Sequence, residues 1–204
     1  MPVGAPAPPA RSPLASPERL TVAAGFLTLE EAARVAGHAR WLEDRLFAVT
    51  GGWVAVENDP AAKALFSAQS LRHAWHASVW GDRFPRVAHL ELDVLTVPAS
   101  AAVADRLDDM AAAGAPGPDG THRRVVLLAA LLQDLVEAYR ERVARAHPLA
   151  DGPTVRWLGF VLADETAALE ELQSLATDGQ PGAWVATHGV RPGDWLGLAS
   201  AAGA

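Results

Sequence analysis

Four stretches of helical apolar periodicity run through this chain, joined by links that are short, long and short. That rhythm constrains the fold more than any other feature. Thr28 opens TLEE, a capping-box pattern with Glu31 three residues on. Apolar positions then recur at helical spacing through Phe47, and Thr50-Gly51-Gly52 reads as a stop, so the spacing predicts a first helix over 28–49. ENDP at 57–60 starts the next: Asn58 or Asp59 can cap, Pro60 suits the first turn, and Pro85 closes a second helix over 60–83. A third helix is expected over 120–146. Asp151-Gly152-Pro153 opens a fourth that ends near 176. In the long link, 100–113 is patterned as a short helix and GAPGPDG as a loop. Short links make antiparallel neighbours, and one long link lets the second pair cross over and pack beside the first. The expected fold is all-α, a four-helix bundle over 27–178 with a long crossover between helices 2 and 3. A Pro-rich leader, 1–26, is expected to be disordered. A turn-rich tail, 179–204, carries Trp184 and Trp195 as anchors for the bundle or a second subunit.

Composition narrows the function. With 204 residues, half of them apolar, the chain can build a sizeable core. The net charge is −7 and no stretch concentrates Lys and Arg, so nucleic acid is not an expected partner. The absence of cysteine excludes disulfides, thiolate metal sites and a Cys nucleophile. The longest clean apolar run, VVLLAALL at 125–132, is far short of the ~18 residues of a membrane span. The N-terminus lacks a basic segment followed by an apolar one, so no secretory signal is read and the expected location is the cytoplasm. No Gly-rich phosphate loop follows a strand, so no nucleotide cofactor is expected; G-x-S-x-G and H-E-x-x-H are likewise missing.

Charged residues that share an apolar helix face are the candidates for chemistry, because burying a charge is costly without a partner. Glu43 has Ala36, Ala39, Leu46 and Phe47 around it at three-, four- and seven-residue spacing. Glu165 interrupts a stripe of Leu158, Leu162, Leu169 and Leu172. Asp134 follows Leu127, Ala130 and Leu131, with Glu137 and Glu141 as weaker candidates on the same helix. His73 lies with Phe66, Gln69, Ser70, Ala77 and Trp80, and is expected to point inward. His76, with Arg72 one turn before it, is expected at the helix border. The alternative reading is structural: core histidines are often hydrogen-bonded packing residues, and Arg40, Arg72 and Arg156 could pair the carboxylates.

The long crossover, with Glu43, His73 and Glu165 on corresponding helices, resembles the ferritin-like superfamily. RWLEDRLF, HAWHASVWGDRFP and DGPTVRWLGFVLADE are similar to stretches of actinobacterial ferritin-like proteins. That family's di-iron pattern is a Glu from each of two helices and Glu-x-x-His from each of the others. Here the second helix reads Ser70-x-x-His73 and the fourth Glu165-x-x-Ala168, so a bridging glutamate and a histidine are missing. The resemblance thus implies a reduced ligand set of Glu43, His73, Asp134 or Glu137, and Glu165. It implies one iron or manganese ion, or no metal at all.

Two functions follow as expectations. One is an enzyme modifying a small molecule, oxidatively if metal-bound, or by acid–base work of His73 with Glu43 or Glu165 if not. The other is a non-catalytic ligand- or protein-binding module that has lost its metal. Trp41, Trp75, Trp80 and Trp157 either fill the core or line a cavity for a small hydrophobic molecule. A second copy of the chain is a candidate partner, and a membrane is not.

Overall fold

The computed structural model describes residues 27–114, 120–175 and 190–198. These form six helices and one 3-10 turn, with no strand among the described residues. The helices are α1 (Leu29–Val56), α2 (Pro60–Arg83), α3 (Leu92–Leu95), α4 (Ala101–Ala112), α5 (Gly120–Ala144) and α6 (Gly152–Leu175). The 3-10 turn is Pro192–Leu196. The all-α reading stands. The leader, most of the GAPGPDG loop and Trp184 lie outside the described residues.

Local signals set the starts of three of the six helices. Thr28 and Glu31 form a reciprocal capping box at α1: the Thr28 hydroxyl accepts from the Glu31 amide and the Glu31 carboxylate accepts from the Thr28 amide. Asp59 caps α2 through the Ala62 amide, with Pro60 at the first helical position. Ser100 caps α4.

The end of α1 differs from the sequence expectation. The helix does not stop at Thr50-Gly51-Gly52 but continues to Val56. The cause is tertiary. Val49, Thr50 and Trp53 continue the buried face, and the Trp53 ring packs edge-on against Phe66 of α2 at 5.3 Å. Burying an indole yields a few kcal/mol, which outweighs the ~1 kcal/mol that each glycine costs in a helix.

α1 packs along α2 and α5 along α6, and the two pairs share one hydrophobic core. Leu42, Leu46, Phe66, Leu128, Leu132 and Leu135 are fully buried in it. The crossover wraps α1. α3 lies over Gly37, where the Leu95 carbonyl oxygen sits only 2.2 Å from the position a Cβ would take. Trp195 of the tail, 1 % exposed, docks with its 3-10 turn on α1 and α5, so this tryptophan anchors to its own chain. Among the described residues no helix is long and apolar enough to cross a membrane.

Candidate metal centre

Because α1 and α2 are packed side by side, a carboxylate in the buried stripe of one meets the buried stripe of the other. Glu43, between Leu42 and Leu46 in α1, is fully buried and faces His73 of α2, whose Nδ1 lies 2.7 Å from its Oε2. From the other helix pair come two more side chains. Glu165 of α6, 1 % exposed, brings Oε1 to 3.5 Å from His73 Nδ1. Tyr139 of α5 donates its hydroxyl to Glu43 Oε1, while its ring stacks on Trp80.

His76 corrects the sequence expectation. It does not lie at the helix border but is fully buried, with Nδ1 3.1 Å from Glu165 Oε1 and 3.6 Å from Glu43 Oε2. The reason is that α2 has two covered sides. Three residues turn a helix by about 300°, so His73 and His76 stand roughly 60° apart. His73 faces α1 while His76 also reaches α6, where its Nε2 lies 3.3 Å from Asp164 Oδ2. The Trp75 ring, 5.2 Å away, lies beside it.

Asp134 and Glu137, expected as ligands, are not part of this group. Asp134 sits half-buried near Trp195, Arg106 and Glu137. Burial, with the Glu137 charge, raises its carboxyl above the ordinary value, against the pull of Trp195 and Arg106. Glu137 is exposed. Five residues of helix put Asp134 about 140° from Tyr139 around α5, so the helix offers a phenol to the interior and turns its acids away. Tyr139 is the only tyrosine of the chain, and Leu132, Leu135 and Val136 share its face. A search for buried charges passes over it because a phenol is neutral.

Glu43, His73, His76 and Glu165 therefore form a buried group whose ligand atoms all lie within 4.8 Å of one another, a set that could hold a metal ion. Ligand atoms on a first-row ion at ~2.0–2.2 Å stand ~2.8–3.6 Å apart. The four His–Glu separations, 2.7, 3.5, 3.6 and 3.1 Å, span that range. Both Glu165 oxygens and His76 Nδ1 are buried without a hydrogen bond, their close approach being misaligned for one. Asp164 behind His76 is placed as the carboxylate that commonly orients a ligating imidazole.

The electrostatics bind the group together. Burial favours the neutral form of Glu43, yet the His76 charge close by and the hydrogen bond from His73 outweigh it and hold the carboxyl down at about 2. Burial likewise favours neutral His76, but Glu43 and Glu165 outweigh it and push the imidazole up to about 10. Tyr139, buried beside Glu43, is raised well above the ordinary phenol value and stays protonated as a donor.

No family model, curated protein or solved structure matches this chain.

A two-ion centre does not suit these residues. Ser70, where a bridging glutamate would stand, turns its hydroxyl to the Phe47 carbonyl at 3.1 Å. Ala168, where a second histidine would stand, is packed in the core with no exposed surface. Two carboxylates and two imidazoles match the charge and ligand count of one divalent ion.

Proposed function

We propose that the protein is a metal-dependent enzyme of ferritin-like build, in which Glu43, His73, His76 and Glu165 hold one iron or manganese ion for oxidative chemistry on a small apolar molecule. The observation that carries this reading is the convergence of four buried ligand groups from three helices, with Glu165 left without hydrogen bonds. Two buried carboxylates are costly unless neutralised, and a divalent cation supplies both charges at once. Mixed imidazole and carboxylate donors suit iron and manganese. The short, long and short links around α1, α2, α5 and α6 support the ferritin-like build.

The bound ion would supply redox chemistry or polarisation of a ligand. The chain's own groups do the rest. Asp164 accepts from His76 Nε2 and so turns Nδ1 towards the centre. Tyr139 holds Glu43 by Oε1, so Oε2, which now faces His73 Nδ1 at 2.7 Å, is the oxygen that would turn to the ion. The surrounding leucines and Trp80 keep bulk water out.

The test is metal content. Protein stripped with chelator, then supplied with Fe(II) under anaerobic conditions or with Mn(II), should retain about one ion per chain after gel filtration, read by mass spectrometry. Glu165→Gln should weaken retention at least ~10-fold. A wild-type chain that retains no ion, or an E165Q variant that retains as much, overturns the reading.

A second reading, a metal-free binding module, is favoured by the hydrogen bonds that already satisfy Glu43. It expects the E43Q/E165Q double variant to be at least as stable as wild type, with unchanged ligand or protein binding.

A further inference from the structure

The four buried groups are closed off by helices, so a reactant needs a way in. A recess of about 720 Å³ opens between α2 and α6, lined by Trp75, Gly152, Pro153, Arg156, Trp157 and Phe160. Its three rings form a run. Phe160 packs on Trp157 at 5.8 Å, Trp157 on Trp75 at 5.9 Å, and Trp75 on His76 at 5.2 Å. The inner end of that run therefore touches a member of the buried group. Phe160 is 51 % exposed and Trp75 39 %. Large rings left open to water in a concave site mark a place where an apolar surface is met by something else.

Arg156 is the only charged residue of the lining, and no acid pairs with it among the described residues. The recess thus presents an aromatic wall with one cationic fork on a chain whose net charge is −7. The volume lies within the range of small-molecule sites, ~300–1,000 Å³. Edge-to-face indoles favour a flat aromatic ring over an aliphatic body. A single guanidinium matches the planar, two-oxygen geometry of a carboxylate.

We propose that this recess binds a small planar aromatic carboxylate, its ring against Trp75, Trp157 and Phe160 and its carboxylate on Arg156. As the substrate of the centre, such an acid rests on the metal reading above; its binding does not, because no lining residue is one of the four ligands. One turn along α6 from Phe160 stands Asp164, the carboxylate that contacts His76. A ligand seated on the rings lies beside the exposed edge of the centre, with its charged end held away from Asp164 by Arg156.

The experiment uses the full chain, stripped and metal-loaded, titrated with 2-naphthoate by isothermal calorimetry. Saturable binding at one site is expected in both forms. Arg156→Gln should weaken it at least ~10-fold, Arg156→Lys less, because the charge stays and the fork is lost. The neutral analogue 2-naphthylmethanol should bind the wild type about as weakly as 2-naphthoate binds R156Q. Trp157→Leu should weaken both probes. No binding of 2-naphthoate at millimolar concentration overturns the proposal. So does equal binding by R156Q, or equal binding of acid and alcohol by the wild type. Metal content measured on the same samples reports the centre separately, so either reading can fail while the other stands.

Discussion

At the scale of single residues, Glu43 is the hub of the interior. It accepts from His73 and Tyr139 and faces His76 across 3.6 Å. Its carboxyl is held at about 2 against an ordinary 4.5, so its stabilisation is complete above 4.5 and drains away as the pH falls towards 2. His76 is pushed from 6.5 to about 10, so its stabilisation is complete below 6.5 and drains as the pH rises towards 10. Both limbs report largely one interaction and do not add. Metal-stripped protein should therefore have its highest melting temperature between about pH 4.5 and 6.5 and lose stability on both sides. A divalent ion held by these residues would take the place of the His76 proton, so loaded protein should lack the alkaline decline. Melting curves from pH 4 to 10, with and without metal, check this; a flat profile above pH 6.5 in stripped protein would contradict it. Glu43, His73 and Glu165 were legible as polar residues in apolar stripes. His76 was hidden because Arg72, one turn earlier, made its face look mixed, although Arg72 itself is half-buried with a buried Nη1. Asp134 shares the apolar signal but lies outside the buried group, because its neighbours Leu127, Ala130 and Leu131 are buried on a helix that is covered over most of its circumference. On such a helix, apolar neighbours no longer tell which direction is the centre.

At the scale of elements, helix starts were legible and one stop was not. Caps are local chemistry: Thr28, Asp59 and Ser100 each bond the amide three residues on. The Gly51-Gly52 stop failed because Trp53, beyond it, found Phe66 on another helix. α3 leaves no signal in the sequence, since one turn carries no periodicity and it exists by lying on α1. Two glycines of α1 consequently have opposite roles. A Cβ at Gly52 meets nothing within 4 Å, so Gly52→Ala should stabilise the protein by ~0.5–1 kcal/mol through helix propensity alone. A Cβ at Gly37 would run into the Leu95 backbone, so Gly37→Ala must displace the crossover, at a cost towards the upper end of the ~1–3 kcal/mol of overpacking. Urea unfolding of both variants tests the pair. Equal effects at the two positions would mean that α3 is not seated on α1 as described.

At the scale of the whole molecule, link lengths made the two helix pairs legible, but not which faces of the pairs meet. That meeting decides the centre, since Glu43, His73 and His76 come from one pair and Glu165 and Tyr139 from the other. Glu57, in the link between α1 and α2, is one clasp across this division. Its Oε1 accepts from the Asn58 and Asp59 amides and from the Thr121 hydroxyl, and its Oε2 from Arg124 at 2.7 Å. Burial opposes the charge of Glu57, but Arg124, the Asp59 amide and Thr121 overcome it and hold the carboxyl at about 2. Arg124, 3 % exposed, has this carboxylate as its ion-pair partner. Glu57→Gln would remove the charge and one acceptor, leaving a buried guanidinium uncompensated, at a cost of ~3–5 kcal/mol. Pairing it with Arg124→Met should restore part of that loss, because two apolar or neutral groups need no compensation. The clasp stands at the end of α1 and the start of α5, away from the four candidate ligands, yet it bears on how the two pairs register. E57Q should therefore lower metal retention along with stability, and the double variant should recover both together. If stability falls while metal retention holds, the core alone is enough to register the two pairs, and the clasp only adds stability to an alignment already made.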